Sequence, residues 1–383
     1  MAWWLARTRR PLPLRWHDLL FAAEQRATLV NVKLKWVKDR ALDSVVARER
    51  HLRQVHRLIQ IISSDPRGGV PVNELPRRPL QLGLRCFLPS DFLLRFPALF
   101  RRSSTSSSRS LIPWFHLTDD AFQLRETELG VLRDNEPELV DRLRRLLMLT
   151  ANFSLPIHTV DQLSWDMGLP YDYHKTIIQR YPHFFTLTQP DNDERVWLKL
   201  SSIDSLLAVS ELQKNSRTDG SESDSLAFPV SFARGFALRR KCMMWLQEWQ
   251  SLPYTSPYAD PSDLDPRTDV SEKRIVGVFH ELLHLTIGKK TERSNLSNLR
   301  KPLRLPQKFT KVFERHPGIF YLSQKLGFQT IVLREAYNGG RELLRKHPLI
   351  SIRERYASMM NAGKPGFCRR HCISESEVVS PEN

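Results

Sequence analysis

The sequence predicts an α+β chain, mainly helical, built from tandem winged-helix-like modules in which a helix-turn-helix plus a β-hairpin is repeated about three times. Three observations predict it. The first is a recurrent proline frame: "CFLPSDFLLRFPALF" (86–100), "GLPYDYHKTIIQRYPHFF" (168–185) and "RLPQKFTKVFERHPGIF" (304–320), with a partial echo in "LLRKHPLI" (343–350). In each frame a Pro after Leu suits the first turn of a short helix, and a second Pro ends it. The second observation is the β-rich sequence after each frame. "ALFRRSSTSSSRSLIPWFHLT" (98–118), "FFTLTQPDNDERVWLKL" (184–200) and "IFYLSQKLGFQTIVLREAY" (319–337) are paired arms around turns, the pattern of hairpins. The third is further helical sequence upstream, such as "TVDQLSWDMGL" (159–169).

Taken in order, residues 1–29 are expected to be an organellar transit peptide. "MAWWLARTRRPLPLRW" carries Arg7, Arg9, Arg10 and Arg15 before the first acid, Asp18. An Arg-rich, acid-free, amphipathic start is how such peptides read, and the scarcity of Ser and Thr favours mitochondrion over chloroplast. Long helices are expected over 33–64, 134–150, 233–250 and 271–289. The modules span about 33–125, 134–212 and 271–350. A polar linker, 213–225, and a proline-rich one, 251–270, separate the last two. Residues 361–383 read as a disordered tail.

The chain has 383 residues with 58 Lys+Arg against 42 Asp+Glu, a net charge of +16. That surplus favours a polyanionic partner, nucleic acid or an anionic membrane. No run of eighteen apolar residues is present, so no membrane span is expected. Four scattered cysteines (Cys86, Cys242, Cys368, Cys372) do not make a disulfide framework.

One motif points elsewhere. His280-Glu281-Leu282-Leu283-His284 fits H-E-x-x-H, in which two histidines one turn apart bind zinc and the glutamate activates water. On a 3.6-residue period, Ile275, Phe279, Leu282, Leu283 and Thr286 form the apolar face. His280, Glu281 and His284 fall opposite, where solvated side chains belong. A third ligand is also lacking at the usual spacings. Ile287 and Lys290 replace the metzincin Gly and His, Glu292 is too close, and Glu314 sits inside a proline frame. Cys368, His371 and Cys372 offer only three ligands. No metal, cofactor or catalytic residue is therefore expected, and zinc hydrolysis stays a remote alternative.

Cations interleaved with aromatics are the better candidates, because cations neutralise phosphates and an aromatic face stacks a base. They are Lys33, Lys35, Trp36, Lys38 and Arg40; Arg239, Arg240 and Lys241; and Lys289, Lys290, Arg300 and Lys301. Trp245 and Trp249, one turn apart, read as core.

"KLKWVKDRALDSVV", "RGFALRRK", "WQSLPYTSPYAD", "EKRIVGVFHELLHLTIGKKT", "RHPGIFYLSQK", "TIVLREAY" and "KHPLISIRERYASMM" together resemble the plant organelle RNA recognition domain family, from Val30 to Met360. The resemblance implies an organelle-targeted, non-enzymatic RNA-binding protein that promotes splicing of group II introns, with organellar RNA as partner and room for other splicing factors. In that family the helix reads His-Glu-Leu-Leu followed by Ser, so the resemblance implies that the zinc signature is accidental. It carries over no base-reading residue. An organellar DNA-binding or transcription-associated protein is the alternative. The sequence does not indicate an oligomeric state.

Overall fold

The structure, a computed structural model, describes residues 34–75, 89–104, 112–190, 193–218, 226–233, 240–339 and 341–362. The transit-like segment, Lys33, Arg239 and the tail from 363 lie outside the described residues. The chain is α+β, with many short helices and small antiparallel sheets. In chain order come α1 (Arg40–Arg48), α2 (Leu52–Ser63), β1 (Val70–Pro71), α3 (Pro89–Leu94), β2 (Phe100–Ser104), β3 (Pro113–Leu117), α4 (Asp119–Asp134), α5 (Glu136–Met148), β4 (Ser154–Pro156), α6 (Ile157–Met167), β5 (Phe185–Thr188), β6 (Trp197–Leu200) and α7 (Glu211–Thr218). Beyond them lie α8 (Arg240–Gln250), α9 (Asp269–Leu285), β7 (Lys290–Glu292), α10 (Val312–Arg315), β8 (Phe320–Ser323), β9 (Thr330–Leu333), β10 (Tyr337–Asn338), β11 (Glu342–Leu343) and α11 (Pro348–Ala362). No helix among the described residues is long and apolar enough to cross a membrane.

Two expected elements differ. The helix over 33–64 is broken: Arg40–Arg48 and Leu52–Ser63 are separate, and His51 between them has φ 65°. No Gly or Pro marks this break, so local sequence carries no warning of it. Part of the polar 213–225 stretch is ordered as the end of α7, which begins at Glu211.

The three hairpins form as expected, and each gains a third strand. The sheets have the orders β1-β3-β2, β4-β6-β5 and β7-β9-β8, so in all three the last strand lies centrally. The registers place apolar residues opposite one another: Phe115 faces Val70, Leu198 faces both Leu155 and Leu187, and Ile331 faces Leu322. The proline frames explain how each hairpin is entered. The carbonyl before the second Pro accepts two backbone N–H bonds, from residues three and four further on. Phe96 O accepts from Leu99 and Phe100, Tyr181 O from Phe184 and Phe185, and His316 O from Ile319 and Phe320, at 3.0 to 3.1 Å. One Pro thus stops a helix and leaves its last carbonyl free to start a strand.

The chain divides into two compact units, one made of residues 1–47 and 136–345, the other of 48–135 and 346–383. In the first, α9 is enclosed by α5, α7, α10 and β9 and is buried nearly all round. The expected solvated face does not exist. Lys273 on this helix is fully buried, with Nζ donating to the carbonyls of Gln250 (2.7 Å) and Leu252 (2.5 Å) at the end of α8. A cation suits the carbonyl end of a helix, although burial pushes its ammonium down to about 8. Trp245 and Trp249 are core, as their spacing implies, and the Trp249 ring lies 4.3 Å from that of His316. Segment 226–233 crosses Gly318, where a Cβ would come within 2.4 Å of Val230 Cγ1. Only glycine permits that approach.

In the second unit, α2, α4 and α11 pack together beside the first sheet around Val55, Leu58, Ile59, Leu124 and Tyr356. A buried carboxylate ties the three helices. Glu128 on α4 meets His56 of α2 at 2.5 Å, Arg125 at 2.8 Å and the Tyr356 hydroxyl of α11 at 3.3 Å.

Candidate nucleic-acid interface

Within the H-E-x-x-H motif, Glu281 is fully buried and fully engaged: Oε1 accepts from Arg145 Nη2 (2.5 Å) and Tyr258 Oη (2.7 Å), and Oε2 from the Glu211 backbone N–H (2.8 Å). A carboxylate held this way binds α9 to α5, to the start of α7 and to the proline-rich stretch. It is not free to activate water. His280 is buried and His284 nearly so, correcting the solvated-face expectation. Both Nε2 atoms reach one oxygen, Glu335 Oε1, at 2.7 and 2.8 Å. A third candidate ligand, an acidic one, is therefore present after all. It lies 51 positions beyond His284, in the turn after β9, and not at either of the spacings weighed from the sequence.

Burial of the Glu335 carboxyl raises its pKa, but the two imidazole hydrogen bonds outweigh burial and hold it down at about 2. Burial lowers the pKa of the His284 imidazole, against the opposing pull of the Glu335 hydrogen bond.

The basic candidates fall on separate elements. Lys35, Lys38 and Arg40 are exposed on the segment entering α1, beside Trp36, which is 43% exposed. That indole is partly committed: Nε1 donates to Leu322 O at 3.1 Å and the ring stacks on Tyr321 at 6.1 Å. Arg240 and Lys241 are exposed in the first turn of α8. Lys289 is not a free surface cation. Its Nζ donates to His284 O (2.5 Å) at the end of α9, and burial pushes it down to about 8. Lys290 is half-buried in β7.

Arg300 and Lys301 are different, because they border a cleft of about 280 Å³. The opposite side is Trp197, at the start of β6, with Arg195 and His158; Asn298 completes the polar rim. The hydrogen bond from Ala151 N to Pro302 O (2.9 Å) joins the two sides within this unit. Trp197 is fixed by its Nε1 bond to Asp193 (3.0 Å), and the Arg195 guanidinium stands 5.9 Å from its ring. Arg195 is paired with Asp193 at 2.7 Å, so it contributes orientation more than charge. Among the described residues, no ion pair holds Arg300 or Lys301.

An indole face flanked by unpaired cations can stack a base and hold its phosphate. Sequence reasoning found Arg300 and Lys301 but missed Arg195, Trp197 and His158. The available signal was the alternation in "ERVWLKL", which sends Arg195 and Trp197 to one side of the hairpin arm.

Fold and cleft together describe a basic α+β protein with a cleft in which an indole lies beside two cations. The chain belongs to the plant organelle RNA recognition domain family, which it matches over residues 37–365. It is 34% identical over 342 residues to Protein WHAT'S THIS FACTOR 9, mitochondrial, of Arabidopsis thaliana, covering 88% of this chain and 87% of that protein. It is 31% identical over 370 residues to Protein WHAT'S THIS FACTOR 1, chloroplastic, of Zea mays, covering 93% and 72%. Protein ROOT PRIMORDIUM DEFECTIVE 1 of Arabidopsis thaliana is 30% identical over 351 residues, covering 88% and 85%. No solved structure matches this chain.

Proposed function

We propose that this chain is a mitochondrial RNA-binding factor that promotes splicing of group II introns by gripping and shaping intron RNA, the chemistry remaining with the RNA. The observation that carries this reading is membership of an organelle RNA recognition family over residues 37–365. The net charge of +16 and the Trp197 cleft supply a physical means. The mitochondrial name of a relative 34% identical supports the compartment, in line with the Arg-rich N-terminus. The three sheets of one strand order, each with its hairpin preceded by a proline-framed helix, are read as winged-helix modules over about 33–125, 134–212 and 271–350. Other splicing factors are proposed as partners on the same intron. The test is to recover the protein from isolated plant organelles and sequence the nucleic acid bound to it. Enrichment of particular group II introns from mitochondria is the expected outcome. Recovery of DNA, or of no RNA above background, overturns the proposal.

A further inference from the structure

We propose that His280, His284 and Glu335 form a structural binding site for a zinc-class divalent cation, through the Nε2 atoms of both imidazoles and the Glu335 carboxylate. The three donor atoms lie within 4.8 Å of one another. The histidines are one turn apart on α9, with ring centroids 4.6 Å apart and edges turned to the same point. Two imidazoles and a carboxylate are a donor set that zinc accepts, with bonds of about 2.0–2.2 Å. Tetrahedral bonds of that length set neighbouring donors about 3.3 Å apart. The observed 2.7 and 2.8 Å separations need to open by only about half an ångström.

Two further features favour a cation over a closed hydrogen-bond triad. Both rings compete for Oε1, while Oε2 of the same carboxylate is buried with no hydrogen-bond partner. A cation between the rings and the carboxylate relieves that competition and can take either oxygen. The backbone on each side of Glu335 is also anchored: Arg334 Nε donates to Pro317 O (2.7 Å) and the Tyr337 hydroxyl to Gly288 O (2.5 Å). Preorganised ligands lower the cost of binding. On binding, each imidazole carries its proton on Nδ1 instead of Nε2 and presents the Nε2 lone pair. Three protein ligands leave one position for water. With Glu281 locked to Arg145 and Tyr258, the glutamate that would activate water is committed elsewhere, so the cation fastens the end of α9 to the turn after β9 as a structural ion.

The test uses the full chain without affinity-tag histidines, stripped by chelator and titrated with Co²⁺ as a coloured stand-in for Zn²⁺. One Co²⁺ per chain is expected, with visible absorption bands of tetrahedral strength, abolished by one equivalent of Zn²⁺. His284→Ser and Glu335→Gln are each expected to weaken binding by about tenfold or more. No stoichiometric binding by the wild-type chain overturns the proposal. So does binding undiminished in both variants, which would put the cation elsewhere, for example in Cys368, His371 and Cys372. If a variant does not fold, the wild-type spectrum still decides, because tetrahedral visible bands without a near-ultraviolet thiolate charge-transfer band mark a four-coordinate nitrogen and oxygen site, whereas such a charge-transfer band would place the ion on cysteine and overturn the proposal.

Discussion

Glu281 and Trp197 show how far a side chain's role depends on what surrounds it. The glutamate of a zinc signature is here a buried strut between Arg145 and Tyr258. Glu281→Gln leaves Arg145 with an uncompensated charge, and breaking a buried pair costs about 3–5 kcal/mol. An unfolding free energy lowered by that amount is expected from denaturant titration, with RNA affinity per folded molecule unchanged; loss of affinity without loss of stability would contradict it. Trp197 is the converse case, a half-exposed indole whose fixed face borders unpaired cations. Trp197→Ala is expected to weaken single-stranded RNA binding by about 1–3 kcal/mol, with Trp197→Phe keeping most of the affinity. Filter binding at constant salt checks this, and equal affinities for Ala and wild type would remove the indole from the interface.

Among the elements, the proline frames were the most legible part of the sequence. Each couples a helix stop to a strand start through one carbonyl, and local rules of this kind survive any tertiary context. What could not be read was nonlocal. The 3.6-residue pattern of α9 suggested one apolar face. The polar residues on the other face are buried because partners distant in sequence meet them, Arg145 and Glu335 among these. The cleft is equally nonlocal, since Arg300 and Lys301 were visible as a basic pair but Trp197 reaches them only through the fold. Glu128 makes the same point for α2, α4 and α11. Burial raises its carboxyl, but His56 and Arg125 outweigh burial and hold it at about 2. A carboxyl lowered in the folded state stabilises above its unfolded value, near 4.3, and that stability is lost as pH falls through about 2. These helices are expected to lose about 3 kcal/mol over that window, seen as faster hydrogen exchange. Glu128→Gln flattens the dependence if this carboxyl is its source.

For the molecule as a whole, the surplus of +16 sets a long-range attraction that no single cleft accounts for. Arg240 and Lys241 illustrate it. Both are exposed in the first turn of α8, where the helix dipole disfavours cations, so an approaching phosphate meets positive groups little neutralised by the protein. Replacing both with Glu is expected to lower the log–log salt slope of single-stranded RNA binding by about 1.4, roughly 0.7 for each lost phosphate contact. A slope equal to wild type would take α8 out of the RNA path.

The division into units also fixes an order of assembly. The Tyr356 hydroxyl meets Glu128 across 228 positions, so the second unit takes its last helix from the far end of the chain. A chain leaving the ribosome, or a membrane pore, N-terminus first has α2 and α4 in hand long before α11 arrives. All of residues 136–345 passes in between, and those residues can complete their own core while the earlier helices still lack a face. The second unit, whose early helices emerge long before its last one, is therefore the last to close, and until it does, the apolar surface that Tyr356 will cover is open to chaperones and to other chains.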